Sequence, residues 1–184
     1  MQANSRTFVL ISIMLLLTFP GRLFFSYIRA ERNVFVQWQA LPEQAVLEVL
    51  PFDNYLYVVT LSGTDLISLF NHIASINQGA GGFPQVSKEI SYTITYDENG
   101  MKGEISNILI NGEKINPEKN YKIAVSNYLA TGGDGYEILT KSIDTFNTSM
   151  LMSDVVIDYA KTFKTAISPT TDERIIIIGG IDIE

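Results

Sequence analysis

Between Tyr55 and Ile178 the sequence is a succession of short apolar stretches, rich in β-branched and aromatic residues and closed by glycine- or asparagine-containing turns. That punctuation commits the chain to a fold dominated by strands. Tyr55 to Leu61 reads as a strand that stops at Ser62-Gly63. Ile90, Tyr92, Ile94 and Tyr96 alternate with Ser91, Thr93 and Thr95, which lays one face of a second strand on a core. Asn99-Gly100 then turns the chain. Ile105 to Ile110 and Lys114-Ile115 flank Asn111-Gly112, a hairpin signal because both central residues tolerate positive φ. Tyr121 to Val125 and Arg174 to Ile178 supply two further strands.

Helical spacing interrupts this series twice. Leu66, Leu69, Phe70, Ile73 and Ile76 recur on one helical face, with Thr64 expected as the cap and Asn77-Gln78-Gly79 as the stop. Val155, Val156, Tyr159, Ala160 and Phe163 define a second face, with Ser153 as its cap. No internal repeat or low-complexity tract appears. The fold class is therefore α+β, with a mixed or antiparallel sheet and two or three helices.

Composition narrows the chemistry. The chain has 184 residues, 46% of them apolar, enough for one domain with its own core. It has no cysteine, which removes disulfides, thiolate nucleophiles and cysteine-based metal sites. Its one histidine, His72, has no G-x-S-x-G serine to work with and cannot build a histidine-rich metal centre. His72 lies beside the apolar stripe of the first helix and reads as a packing residue. The net charge is −7, with 13 basic against 20 acidic residues and no Lys/Arg cluster, so nucleic acid is excluded as a partner.

Residues 1–30 are set apart. They contain Arg6, Arg22 and Arg29 and no acid, and an apolar run from Phe8 to Phe19 precedes Pro20-Gly21-Arg22. A basic start followed by an apolar run shorter than the ~20 residues of a spanning helix reads as an export signal. Ala30 could end it, although Ile28 is large for a cleavage motif. The expectation is an exported chain, periplasmic or at the cell surface, that touches a membrane only if this segment stays attached. The domain proper would be residues 31–184.

The most unusual stretch is Asn127 to Tyr136, which contains Gly132-Gly133-Asp134-Gly135 directly after a strand; by composition alone such a stretch is more often a turn than a site. Three glycines in four positions let a ligand approach the main chain. An ionised Asp134 between them accepts hydrogen bonds only, so it suits ribose-type hydroxyls and repels phosphate. The stretch lacks the Lys-Ser/Thr ending of a phosphate-cradling loop, the G-x-G-x-x-G of a dinucleotide site and the D-x-D-x-D-G order of an EF-hand.

Four motifs in order extend this reading: Val49-Leu50-Pro51-Phe52-Asp53-Asn54, Leu61-Ser62-Gly63 entering a helix, Gly81-Gly82-Phe83-Pro84-Gln85-Val86-Ser87, and Asn127-Tyr128-Leu129-Ala130 running into the glycine-rich stretch. Together they resemble the C-terminal domain of the 5′-nucleotidase family. The resemblance implies that domain's fold and its role, which is to bind the nucleoside part of the substrate while a separate metallophosphatase domain holds two metal ions and hydrolyses the ester. It implies that Phe52 and Tyr128 sandwich the base and that Asp134 faces the ribose hydroxyls, with Gly132 and Gly133 beside them. For either ring alone packing is the commoner role; the shared context reverses that weighting. His72 and Tyr136 also match the family and keep their packing roles.

The resemblance also breaks in places. An Asn-x-Gly-Gly-Ile-Arg segment usually precedes the Pro-Phe element, whereas this chain has Phe24-Phe25-Ser26-Tyr27-Ile28-Arg29. Arg29 would still clamp a phosphate oxygen, but a cut after Ala30 would remove it. Lys88 stands where a glycine commonly follows the Val-Ser pair. The Asp-x-His and Gly-Asn-His motifs of the metallophosphatase domain do not occur, so no cofactor is expected in this chain and the metal pair belongs to a partner. The expectation is a nucleotide-recognition domain, truncated or half of a split enzyme, that acts with a metallophosphatase chain. The alternative is a non-catalytic binding or structural module derived from it, anchored by its N-terminal segment.

Overall fold

The computed structural model describes residues 46–47, 50–162 and 173–181; the N-terminal apolar run, Arg29 and Phe163 lie outside them. In chain order the elements are β1 (Tyr55–Ser62), α1 (Gly63–Ser75), β2 (Ile90–Tyr96), β3 (Gly103–Ile110), β4 (Glu113–Lys114), β5 (Asn120–Ser126), α2 (Asn127–Ala130), β6 (Asp144–Leu151), α3 (Met152–Lys161) and β7 (Ile175–Gly179). Two 3₁₀ turns, Gly133–Gly135 and Glu137–Lys141, lie between α2 and β6.

The strands form two sheets. One has the order β5-β1-β6 and is antiparallel throughout. The other has the order β4-β3-β2-β7, antiparallel except where β7 runs parallel to β2. The expected α+β class with mixed and antiparallel pairing is what forms.

A single core joins the sheets through α1. Leu66, Leu69, Phe70, Ile73 and Ala74 of α1 are buried with Val59, Leu61, Ile123 and Val125 from the first sheet and Ile90, Tyr92 and Ile94 from the second. Each large apolar side chain removed from water here contributes about 1.5–3 kcal/mol. The ring of Phe70 meets that of Tyr92 edge-on at 5.5 Å, and the Tyr96 hydroxyl donates to the carbonyl of Ile76 at 2.7 Å, tying the end of α1 to β2.

Three expectations need correction. Ser62, not Thr64, caps α1: its Oγ accepts from the Asp65 N–H at 3.1 Å while it donates to Asp65 Oδ2 at 2.6 Å. The reason is that β1 enters α1 without a loop, with Gly63 already helical; a Cβ on Gly63 would collide with the carbonyl of Asn116. Ser153 does not cap α3 either, because the cap position is Leu151, which gives no side-chain bond, and Ser153 is buried inside the helix. Tyr159, assigned to the packed face of α3, is exposed, whereas Val155 and Val156 are partly covered.

One strand was not foreseen. β6 (DTFNTSML) is polar and almost wholly exposed, so it carries no period-two signal. It exists because β1 offers it a ladder, with Val58 opposite Phe146 and Val59 opposite Thr145. Among the described residues no helix is long and apolar enough to cross a membrane.

Candidate functional site

β1 and β5 are antiparallel with Leu56 opposite Ser126, so the start of one lies beside the end of the other. The chain on either side of that junction is tied in place. The Tyr55 N–H donates to Asn127 Oδ1 at 2.8 Å, and the Met152 N–H donates to the Asn54 carbonyl at 2.8 Å. The segment carrying Phe52 is thereby fixed against the starts of α2 and α3. Phe52 itself is 57% exposed, well above what a core aromatic shows.

Ser126 caps α2 through its Oγ, which accepts from the Leu129 N–H at 3.1 Å. Leu129 is buried and anchors the turn, which leaves the neighbouring Tyr128 turned outward and 41% exposed. The helix ends after one turn because Gly132 takes up φ +93°. Asp134 then adopts a left-handed φ of +52°, uncommon for a residue with a side chain, and the Tyr136 N–H closes the turn onto the Gly133 carbonyl at 3.0 Å.

Within this turn the Tyr128 hydroxyl donates to Asp134 Oδ1 at 3.0 Å. Gly133 makes that possible. A Cβ placed there would lie 2.5 Å from two atoms of the Tyr128 ring, so only glycine lets the ring rest against the backbone. The Gly81–Ser87 motif arrives from the other side: a Cβ on Gly82 would lie 3.5 Å from Asp134 Cβ, and the Gly82 carbonyl accepts from the Tyr136 hydroxyl at 2.8 Å.

Below the turn, His72 of α1 meets the Tyr136 ring edge-on at 4.8 Å and faces Gly135. Tyr136 is fully buried, and its phenol is held far above the ordinary range by burial first, then by Tyr92 and Asp134. It therefore stays a neutral donor to Gly82. The packing roles expected of His72 and Tyr136 fit these positions. His72 Nε2, Ser87 Oγ and Tyr92 Oη are buried without a hydrogen-bond partner among the described residues.

Phe52, Tyr128, Asp134, Gly132 and Gly133 are thus gathered at one end of the first sheet, while Arg29 lies outside the described residues. Asn127 and Gly82, whose side-chain oxygen and carbonyl hold the site together, had no signal beyond their place in the motifs. No three His, Cys, Asp or Glu side chains gather to hold a metal among the described residues.

The family model for the 5′-nucleotidase C-terminal domain matches residues 27–141. The chain belongs to that family. This 5′-nucleotidase C-terminal domain is 32% identical over 136 residues to the trifunctional nucleotide phosphoesterase protein YfkN of Bacillus subtilis, a span that is 71% of this chain and 9% of YfkN. It is 30% identical over 114 residues to protein UshA of Escherichia coli, covering 62% of this chain and 20% of UshA. The 5′-nucleotidase precursor from Thermus thermophilus superposes with a TM-score of 0.65 at 26% identity, covering 75% of this chain and 28% of that one. The NAD nucleotidase NadN of Haemophilus influenzae, at TM-score 0.58 and 18% identity, shares the fold. The domain accordingly spans a small part of the length of the relatives it matches.

Proposed function

We propose that this chain is the nucleoside-recognition part of a 5′-nucleotidase-type phosphohydrolase, exported from the cytoplasm and acting with a metallophosphatase partner. Phe52 and Tyr128 hold the base between their rings, Asp134 accepts from the ribose hydroxyls, and Gly132 and Gly133 let the ligand approach the backbone. Arg29 takes a phosphate oxygen where the N-terminal segment stays attached; the span matched by the family model begins at residue 27 and includes it. The metal chemistry and the hydrolytic water belong to the partner, and this chain binds and orients.

The observation that carries the reading is the convergence of exposed aromatic and carboxylate groups. Phe52 and Tyr128 are large apolar residues left open to solvent at one sheet end, and Asp134 is bonded to one of them. Each base–aromatic stack contributes about 1–3 kcal/mol. The test is calorimetric titration of the 184-residue chain with adenosine and AMP, alongside Phe52→Ala and Tyr128→Ala, with circular dichroism to establish folding. Binding that each substitution weakens by about 1–3 kcal/mol supports the proposal. No binding by the folded chain would instead favour a module that kept the fold and lost the ligand.

A further inference from the structure

We infer that the Tyr128 hydroxyl is a positioning group that aims the Asp134 carboxylate at ligand hydroxyls, so that the site favours ribonucleosides over nucleosides whose sugar lacks them. The inference rests on the nucleoside reading above and adds a role to a part of Tyr128 that stacking does not use.

A stacking ring needs no hydroxyl, yet this one donates to Asp134 Oδ1 at 3.0 Å. The bond is charge-assisted, with a neutral phenol donating to a carboxylate. Two features constrain the geometry around it. The Asp134 backbone is set in its left-handed conformation, flanked by Gly132 at φ +93° and Gly135 at φ +80°. The ring lies against Gly133, where a Cβ would intrude to 2.5 Å.

Oδ2 faces Gly82, a residue with no side chain to occupy the space beside it; a Cβ there would stand 3.9 Å away. One carboxylate oxygen is thus engaged by the protein, while the other lies beside Gly82 on a residue that is exposed to solvent. A carboxylate has about four acceptor positions, so the bond to Tyr128 leaves capacity for two sugar hydroxyls. Without that bond the carboxylate would turn about its side-chain bonds, and its ordering would be charged to ligand binding.

The experiment compares the wild-type chain and Tyr128→Phe by calorimetry against adenosine and 2′,3′-dideoxyadenosine, with Tyr128→Ala as the variant that also removes the ring. Tyr128→Phe keeps the stack and the packing against Gly133, so it should weaken adenosine by about tenfold and leave dideoxyadenosine within about twofold of wild type. Tyr128→Ala should weaken both ligands. Adenosine binding that is as tight in Tyr128→Phe as in wild type, but weakened in Tyr128→Ala, overturns the inference and leaves the stacking site standing. Equal losses of both ligands in Tyr128→Phe overturn it as well. A folded wild-type chain that binds neither ligand overturns the nucleoside reading and this inference with it.

Discussion

Replacing Gly133 with alanine sets the backbone of the glycine-rich turn against the Tyr128 ring. The added methyl would stand 2.5–2.6 Å from three ring carbons, below any ordinary carbon–carbon contact, so the ring or the turn must give way. The ring is the softer partner. Tyr128 is 41% exposed and can swing toward solvent, whereas the turn is held by the Tyr136 N–H on the Gly133 carbonyl and by the buried ring of Tyr136. Gly133 itself does not have a positive φ, so alanine brings no backbone strain of its own.

The substitution should therefore displace the Tyr128 ring, to which the proposed function assigns the base, and break its bond to Asp134 while leaving the fold intact. The expected loss is that of one stack, about 1–3 kcal/mol, which lowers adenosine affinity between about fivefold and about 150-fold. The thermal midpoint should fall by no more than about 4 °C. The assay is calorimetric titration of Gly133→Ala beside a melt followed by circular dichroism. Wild-type affinity in the folded variant would refute the argument, because a ring pressed this closely against residue 133 could not stay in place.

Two further outcomes follow from the fold. Ser62→Ala removes the oxygen that accepts from the Asp65 N–H and should cost about 0.5–2 kcal/mol in urea unfolding; a loss no larger than that of Thr64→Ala would mean that Ser62 is not the cap. Asp97 accepts from the backbone N–H groups of Met101 and Asn99, and these bonds, that of Met101 foremost, hold its carboxyl below the ordinary value of 3.8. A depressed folded-state pKa stabilises the fold above the unfolded-state value, and this contribution is lost as pH falls through the folded-state value. The stability gap between wild type and Asp97→Ala should consequently narrow from pH 6 toward pH 3 in parallel melts, and a gap that stays constant would rule out the carboxylate as its source.

Much of the fold was legible because its strands and first helix are half-buried in regular patterns. Ile90, Tyr92, Ile94 and Tyr96 announce β2 by alternation, and Leu66, Leu69, Phe70 and Ile73 announce α1 by helical spacing. The two misplaced caps share one cause. β1 enters α1 and β6 enters α3 with no intervening loop, so in each case the cap is the last strand residue, which a search for a loop serine or threonine passes over. β6 escaped notice because its stability comes from the ladder with β1, a partner more than eighty residues earlier in the chain.

At the site, the glycine-rich turn and its carboxylate stood out in the sequence by composition. The bond between Tyr128 and Asp134, and the need for a bare backbone at Gly133, did not. Both depend on how far Gly132 and Asp134 rotate the chain, and residue spacing carries no information about that angle.

The two hydrogen bonds that flank Asn54 and Tyr55 have a consequence for how this domain can be combined with others. Both come from residues downstream, Asn127 and Met152, so the corner just after Phe52 is tied to segments more than seventy residues further along, while the Leu50 N–H on the Val46 carbonyl ties the segment upstream as well. Fusing another unit ahead of the domain leaves these two downstream ties in place. Joined to different upstream units, the domain would keep the same closure between its Asn54–Tyr55 corner and the starts of α2 and α3.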